Sequence, residues 1–451
     1  MSFIISIVSF VVALGILITV HEFGHFWVAR KCGVKVLRFS VGFGKPLLTF
    51  RRKNDPTEYV IAGIPLGGYV KMLDENEGSV AEEEKPKAFN RQPLFKRMAI
   101  VLAGPALNLI FAVLAFWVIL VVGEQGIRSI ISEPEKNSIA AHAGFEAGDE
   151  IIKVDGRLSP IWRVAAGMLS TSLIDKGSVN LDVIAVNGSA KSLTLIQQDK
   201  SIEPEHVFDS IGLRPLSLPL KAVINKVVAN EPAELAGIKT GDLIISTNGV
   251  AIESWQQWVE ITRSSAEKIL SIELERDTQI HNLQLIPKKV VEGKNEYGRI
   301  GASVLIPEDF ASDYYTSYQL GLLPALTEAI TQTGQYSWLT LKMIGRMVIG
   351  EASVNNLSGP ISLAKYAGQT ATFGIIPFLK FLAFVSVSLG VLNLLPIPML
   401  DGGHFMFYVI EGIRGKAVSI ATQEKAMKLG MMILFSVMLL AVFVDISRYV
   451  G

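Results

Sequence analysis

The sequence predicts a polytopic α-helical membrane protein with four transmembrane helices, a membrane-associated β-loop and two external α+β modules. Half of the 451 residues are hydrophobic, and four stretches are long and apolar enough to cross a bilayer. A pattern of 26 residues occurs twice between the second and third stretches. The 42 basic residues balance the 42 acidic ones, so the charge gives no reason to expect nucleic acid as a partner. The expected surroundings of the chain are a lipid bilayer.

The four apolar stretches are, to within a few residues, Phe3–Ala29, Met98–Val122, Phe373–Leu395 and Leu429–Val444. The first has no basic residue before its end and no cleavage site of small residues, which favours an anchor over a signal peptide. The loop after it, Arg30–Arg97, carries 14 Lys and Arg residues. The positive-inside rule predicts that this loop and the link between the third and fourth stretches are cytoplasmic. Both termini and the large segment 123–369 are then predicted to lie outside.

A metal-binding motif, His21-Glu22-Phe23-Gly24-His25, lies near the end of the first stretch. Two histidines four residues apart share one face of a helix, where their ring nitrogens can bind one metal ion. The glutamate between them can act as general base toward a water molecule on that metal. Ionisable groups at membrane depth are costly and need a partner or a task. The single Cys32 leaves only histidine and carboxylate ligands for such a site.

A third metal ligand is expected after the third stretch, where Pro396 and Pro398 must interrupt a regular helix. The inward direction of this stretch brings Asp401 to the same depth as the histidines. Catalytic zinc often takes two histidines and one carboxylate, with the fourth position left for water. Asp401 is therefore the predicted third ligand, and an Asp-Gly turn in a cytoplasmic loop is the alternative. His404 is a competing ligand, for which a structural role is favoured.

The repeated pattern covers Asn137–Trp162 and Asn230–Trp255, which align without a gap. Shared Gly-Asp and Asp/Asn-Gly positions predict a short helix, a turn, a strand and a tight hairpin in each copy. The pattern resembles bacterial, circularly permuted PDZ domains, which bind a peptide as an added strand and hold its carboxylate on backbone N–H groups. Two loops are candidates for this role: Ile211, Gly212, Leu213 and Ile300, Gly301, Ala302. The alternative, a rigid steric filter with nonfunctional grooves, remains open.

These observations divide the chain into nine segments, of which the sixth is expected to contain an amphipathic helix on the membrane surface. They are a first transmembrane helix (1–30), a β-loop region (31–97), a second transmembrane helix (98–123), a first PDZ domain (124–216), a second PDZ domain (217–307), the surface helix with a substrate-clamp loop (308–370), a third transmembrane helix with the Asp-Gly motif (371–404), a cytoplasmic loop (405–428) and a fourth transmembrane helix (429–451).

In combination, the HEFGH motif, Leu400-Asp401-Gly402 and the two repeats resemble the bacterial site-2 protease family of intramembrane zinc metalloproteases. The resemblance covers essentially the whole chain. It implies one Zn²⁺ ion per chain, held by His21, His25 and Asp401, with Glu22 as the catalytic base. It also implies an enzyme of the bacterial inner membrane whose termini and PDZ domains are periplasmic and whose active site lies near the cytoplasmic face.

The resemblance further implies how a substrate is bound. Gly67, Gly68 and Tyr69 are expected to present the substrate as an added strand, because a helical substrate hides its peptide bonds; a hairpin that only packs is the alternative. Asn393 is expected to position the substrate, with a helix-to-helix hydrogen bond as the competing role. Asn355 and Asn356 are expected to help clamp the unwound substrate.

The implied partners are single-span membrane proteins, in particular an anti-sigma factor shortened by a first protease, and leftover signal peptides. The implied function is therefore regulated intramembrane proteolysis in an envelope stress response. A catalytically silent PDZ scaffold or membrane chaperone with a structural metal is the alternative from a different class, and the intact base Glu22 argues against it. A metal transporter is disfavoured because the polar residues are confined to one site and form no path across the membrane.

Overall fold

The computed structural model describes residues 2–53, 55–197, 207–216, 220–292, 295–307, 313–350 and 358–450. The chain divides into two compact units. The first, here called the membrane unit, consists of Met1–Glu124 and Gln319–Ile446. The second, here called the repeat unit, consists of Gln125–Tyr318 with Ser447–Gly451.

The α-helices of the described residues are, in chain order, α1 (Ser2–Lys31), α2 (Leu94–Val122), α3 (Ile139–His142), α4 (Trp162–Lys176), α5 (Val207–Ile211), α6 (Pro232–Leu235), α7 (Trp255–Ser264), α8 (Leu322–Val348), α9 (Pro360–Phe373), α10 (Ile375–Asn393), α11 (Asp401–Arg414) and α12 (Ile420–Val450). Two short 3₁₀ helices, Glu82–Lys87 and Phe89–Arg91, precede α2.

The strands of the described residues are β1 (Val36–Arg51), β2 (Glu58–Met72), β3 (Glu124–Ile127), β4 (Glu150–Val154), β5 (Arg157–Leu158), β6 (Ser178–Ile184), β7 (Ala190–Ile196), β8 (Ile224–Val227), β9 (Leu243–Thr247), β10 (Val250–Ala251), β11 (Leu270–Arg276), β12 (Gln279–Leu285), β13 (Lys288–Glu292), β14 (Asn295–Arg299), β15 (Ala302–Val304) and β16 (Tyr315–Tyr318).

Four helices in the described part of the chain are long and apolar enough to cross a membrane, as the sequence predicts. The spanning segments are Ile4–Lys31, Leu94–Val122, Ile375–Asn393 and Ile420–Ser447, in α1, α2, α10 and α12. The surface helix expected near Leu320–Gly350 is the single helix α8 and is not among these four.

The segment 405–428, predicted as a cytoplasmic loop, is largely helical in the structure. Residues 405–414 belong to α11, and α12 begins at Ile420. The sequence prediction placed the start of the last helix at its first long apolar run. The polar residues before that run, such as Gln423, Glu424 and Lys425, are good helix formers and extend the helix by about two turns.

Helix α2 packs closely against two of the other spanning helices through small residues. A Cβ atom added to Gly24 of α1 would lie 2.3 Å from the carbonyl oxygen of Ala103. A Cβ atom added to Gly390 of α10 would lie 3.2 Å from the carbonyl oxygen of Pro105. Small residues let helix backbones approach where water supplies no hydrophobic driving force between helices. This packing places α2 against both helices that lead to the predicted ligands.

Strands β1 and β2 are long and bent, so that their segments form a sheet on the side of α1. Residues 36–41 of β1 align with both 58–61 and 68–72 of β2, and residues 46–51 align with 58–62. Glycines with positive φ mark the bends, at Gly42 (94°), Gly44 (87°) and Gly67 (132°). A residue with a Cβ atom rarely adopts such backbone angles, so glycine is required where the strands turn.

The two copies of the repeat fold alike. The first forms a four-stranded sheet of order β5-β4-β6-β7, and the second forms one of order β10-β9-β11-β12. Each sheet covers its own hydrophobic core, around Leu169 and Ile151 in the first copy and around Trp258 and Ile272 in the second. The matched Gly144 and Gly237 both have positive φ, at 92° and 85°. The repeat in the sequence is therefore a repeat of backbone conformation.

Candidate metal centre

Three predicted ligands converge in the membrane unit. The Nε2 atoms of His21 and His25 are 3.2 Å apart, and Asp401 Oδ2 lies 3.2 Å from the first and 3.5 Å from the second. Each residue thus offers one ligand atom to a common point, and the three atoms lie within 4.8 Å of one another. His25 is buried, and the side chain of Asp401 is 20% exposed.

The spacing of these atoms fits a tetrahedral zinc ion. Bonds of about 2.0–2.1 Å at the tetrahedral angle hold ligand atoms about 3.3–3.4 Å apart. The three observed separations, 3.2, 3.2 and 3.5 Å, bracket that value. Two imidazole nitrogens and one carboxylate oxygen are also the donor set that leaves a fourth position open at catalytic zinc. The residues present therefore fit zinc in both chemistry and geometry.

Asp401 reaches the histidines because the chain folds back tightly before α11. Asp401 is the first residue of that helix and follows the proline-interrupted segment Leu394–Leu400. Cβ atoms added to Gly402 and Gly403 would lie 2.3 Å from the carbonyl oxygen of Leu395 and 2.4 Å from that of Ile397. Two glycines must therefore follow the aspartate, since any side chain there would displace the backbone that positions it.

One face of α2 lies against both histidines, and the sequence analysis missed it. The carbonyl oxygen of Ile100 accepts a hydrogen bond from Nδ1 of His25 at 2.8 Å. The side-chain amide of Asn108 lies 3.1 Å from Nδ1 of His21. A Cβ atom added to Gly104, between them, would lie 2.3 Å from Nε2 of His25. An asparagine inside an apolar span, Asn108, was the one sequence signal that pointed to this face, and in the structure it is fully buried.

Glu22 lies beside the sheet formed by β1 and β2. A Cβ atom added to Gly68 would lie 2.8 Å from Cγ of Glu22 and 2.7 Å from the carbonyl oxygen of Ser40. Tyr69 is held next to this point, because its hydroxyl accepts a hydrogen bond from Arg38 at 3.1 Å and its ring stacks on Phe43. The structure thus brings Gly68 to the predicted base, whereas its chain neighbours Gly67 and Tyr69 both lie against Phe43.

Asn393 and His404 are not part of the three-atom cluster. Asn393 is the last residue of α10, is half-buried, and its side-chain amide makes no hydrogen bond to the described residues. The helix-to-helix bond that the sequence left open is thus not seen in that part of the chain. His404 packs edge-on against Phe407 of its own helix and contributes no atom to the cluster.

The predicted clamp residues Asn355 and Asn356 lie outside the described residues. The structure does describe the segment that follows them, which is tied to the last spanning helix. The carboxylate of Asp445 on α12 accepts hydrogen bonds from the backbone N–H groups of Gly359, Ile361 and Ser362 and from the Ser362 hydroxyl. Asp445 is fully buried, and through these hydrogen bonds it caps the N-terminus of α9 from another helix.

The two predicted carboxylate loops differ in their free donors. In the first repeat, the N–H groups of Gly212 and Leu213 both donate to the carbonyl oxygen of Phe208, at 3.0 and 3.2 Å. In the second repeat, the N–H groups of Ile300 and Gly301 donate to no acceptor among the described residues. The donors of the first loop are thus satisfied by its own short helix, α5.

Comparison with known proteins identifies relatives over the full length. The sequence matches the model of a family described as Peptidase family M50 over residues 9–437. It is 42% identical to the regulator of sigma-E protease RseP of Salmonella typhimurium, with 99% of this chain and 100% of the relative covered. The protein of the same name from Escherichia coli K12 is 41% identical, with 99% and 100% covered. A relative from Vibrio cholerae whose name describes a zinc metalloprotease is 40% identical, with 98% of each chain covered.

Proposed function

The chain belongs to peptidase family M50 and is a membrane zinc metalloprotease, and on this premise we propose that His21, His25 and Asp401 hold its zinc, one ion per chain. The observation that carries the proposal is the convergence of three ligand atoms, two from α1 and one from the start of α11. Ionisable residues at membrane depth need a partner or a task, and binding one metal ion gives these three residues, remote in sequence, a common one.

The residues around the centre divide the work of hydrolysis. When bound, zinc supplies a Lewis acid that polarises the scissile carbonyl and makes water a better nucleophile at neutral pH. Glu22 takes the proton from the attacking water and passes it to the leaving amine. Its position beside Gly68 supports this role, because a substrate strand along the sheet would lie next to the base.

A substrate must be extended before it can be cut, because the peptide bonds of a helix are hydrogen-bonded and shielded. We propose that Gly67, Gly68 and Tyr69 bind it as an added strand, and that Asn393 holds its backbone through the amide that has no partner in the described part of the chain. Asn355 and Asn356 are proposed to clamp the same strand on the resemblance alone.

The proposed substrate class rests on the names of the relatives and on the resemblance to the site-2 protease family. Their names describe regulators of a sigma factor, so we propose that this enzyme cuts the membrane anchor of an anti-sigma factor that a first protease has shortened. We further propose that it acts in the bacterial inner membrane, with the repeats and both termini in the periplasm. The charge pattern supports this orientation, since the basic residues concentrate in the segment between α1 and α2.

We also propose that both repeats are PDZ domains and that only the second captures a carboxylate. The free N–H groups of Ile300 and Gly301 support this, because an anion needs donors that the protein has not already used. Hydrogen exchange on the full chain, with a peptide bearing a free or an amidated apolar C-terminus, tests it. The free-carboxylate peptide should protect residues 300–302 and not 211–213; protection of the first loop would contradict the proposal.

Metal removal tests the metalloprotease function itself. The purified chain, in detergent, is given a single-span substrate that already lacks its external domain. Stripping zinc with a chelator should abolish cleavage, and adding zinc back should restore it, whereas magnesium should not, because it prefers six oxygen ligands. Cleavage at the full rate by protein shown to be metal-free would overturn the proposal.

A further inference from the structure

We propose that Asn108 is a positioning residue for the metal ligand His21. The amide oxygen of Asn108 accepts a hydrogen bond from Nδ1–H of His21, so that the opposite ring nitrogen, Nε2, is free to bind zinc. The inference rests on the proposed function, in which His21 is a zinc ligand. Asn108 lies on α2, is fully buried, and has its amide 3.1 Å from Nδ1 of His21.

The amide of Asn108 can face His21 with either of its two polar atoms. In the structure the nitrogen Nδ2 faces the ring, and Oδ1 is buried without a hydrogen-bond partner. A half-turn of the amide exchanges the two atoms without changing its shape. The hydrogen bonds of the structure do not by themselves favour the orientation with Nδ2 toward the ring, because that orientation leaves Oδ1 buried without a donor.

The chemistry of a histidine ligand determines the orientation of the Asn108 amide. Zinc binds the lone pair of Nε2 in a neutral imidazole, so the ring proton must sit on Nδ1. A proton on Nδ1 needs an acceptor, which Oδ1 is and Nδ2 is not. The orientation with Nδ2 toward the ring would instead require Nδ1 to accept, which moves the proton to Nε2 and blocks the metal. Zinc binding by His21 thus fixes the amide of Asn108.

The second histidine shows the same arrangement with a different acceptor. Nδ1 of His25 lies 2.8 Å from the carbonyl oxygen of Ile100, four residues before Gly104 and eight before Asn108. One face of α2 therefore supplies an acceptor to each ligand, a main-chain oxygen for His25 and a side-chain oxygen for His21. Because the main-chain acceptor cannot be removed by substitution, Asn108 is the position at which the arrangement can be tested.

The test measures zinc affinity of the metal-free full chain, by competition with a chromophoric chelator. Asn108→Ala removes the acceptor and should weaken zinc binding about 10–100-fold. Asn108→Asp keeps an acceptor but no donor and should bind zinc at least as tightly as wild type. Ser386→Ala is the matched control: Ser386 is also fully buried, and its hydroxyl donates to the main-chain carbonyl oxygen of Asn108 at 2.8 Å, so its removal leaves the Asn108 amide in place. It should retain the wild-type affinity.

The cobalt(II) spectrum of each variant gives a second measurement that a loss of packing alone would not move. Asn108→Ala should change the intensity of the visible bands, and Ser386→Ala should leave them unchanged, which decides the matter even if Asn108→Asp fails to fold. Wild-type affinity and spectrum in Asn108→Ala would overturn the inference, and so would equal weakening in Asn108→Ala and Asn108→Asp. Failure of the wild-type chain to bind zinc would instead overturn the proposed function.

Discussion

The membrane unit and the repeat unit use their buried polar groups differently. In the membrane unit, His25 and Asn108 are buried at the candidate metal centre, where the Asn108 amide lies 3.1 Å from Nδ1 of His21; the buried Ser386 donates only to the main-chain carbonyl of Asn108. In the repeat unit, Asp149 and Asp242 are fully buried, but each holds a local turn by accepting the N–H of the residue three positions earlier. The buried polar groups beside His21 therefore surround the candidate metal centre, whereas Asp149 and Asp242 hold backbone geometry, as Asp445 does at the start of α9.

The difference has a physical origin. A polar atom inside a spanning helix has no water to satisfy it and is retained only with a partner or a task. In a water-soluble fold, a buried aspartate that caps a turn satisfies backbone groups that the sheet cannot pair. The following experiments test whether the two uses are as separate as the structure indicates.

The largest expected effect comes from Glu22→Gln. Glutamine has nearly the shape of glutamate but cannot take a proton from water, so cleavage of a shortened single-span substrate should fall by at least about 10²–10⁴-fold. Zinc content and thermal stability of the purified variant should remain those of wild type. Near wild-type cleavage would show that the buried polarity of the membrane unit does not serve catalysis in this way.

The next largest effect is expected from Asp401→Asn, compared with His404→Ala as its control. The asparagine removes the negative oxygen that belongs to the three-atom cluster, so purified protein should retain much less zinc and lose activity. His404 contributes no atom to that cluster, so His404→Ala should keep most of its zinc. Metal analysis of both proteins decides; the reverse result would assign the third ligand to His404.

Removing the repeat unit should alter substrate choice and leave the chemistry in place. Residues 125–318 are deleted, so that Glu124 and Gln319 become the new ends. Near these ends, Leu320 N–H donates to the Leu120 carbonyl and Gln319 Nε2 donates to the Val121 carbonyl, both at 2.9 Å. These bonds hold the two ends together, so a short Gly-Ser linker can join them. Glu124 is kept, since its carboxylate binds Lys380 at 3.1 Å.

The protein that lacks the repeats should cleave the shortened substrate at a rate within a few-fold of wild type. It should now also cleave the full-length substrate. The expectation follows from the position of all predicted ligands and the base in the membrane unit. Both substrates are compared at equal expression of the two proteins. If the protein that lacks the repeats folds and cleaves the shortened substrate but does not cleave the full-length one, the repeats do not act as a filter.

The smallest effect is expected from Asp242→Asn and Asp149→Asn in the repeat unit. Asp242 also pairs with Arg276 through both oxygens at 2.7 Å, whereas Asp149 lies 3.5 Å from Lys191. Because charge-assisted paired bonds are the stronger ones, Asp242→Asn should destabilise its repeat by about 1–3 kcal/mol, and Asp149→Asn by less. Hydrogen exchange of strands β9 and β4 measures this. Loss of zinc in either variant would contradict the separation of the two uses.

Much of the molecule could be predicted from local patterns in the sequence. Apolar runs predict the spanning helices, and the family inferred from HEFGH, the Asp-Gly motif and the repeats is confirmed. The matched Gly-Asp turns predict two copies of one fold, and both copies form sheets of the same order. At residues 420–428 polar helix-forming residues continue the last helix beyond its apolar run, which the apolar pattern does not reveal. The roles of the individual site residues stay predictions.

The sequence by itself determined the chemistry available to this protein, because a ligand pair four residues apart on a helix is a local property of the chain. Only the tertiary structure decided how that chemistry is held in place. Asn108 meets His21 across 87 positions of sequence, and Ser386 meets Asn108 across 278. Such contacts depend on how closely helices α1, α2 and α10 approach one another, and small residues at Gly24, Gly104 and Gly390 permit that approach. No periodicity within one helix encodes the partner that a neighbouring helix will supply.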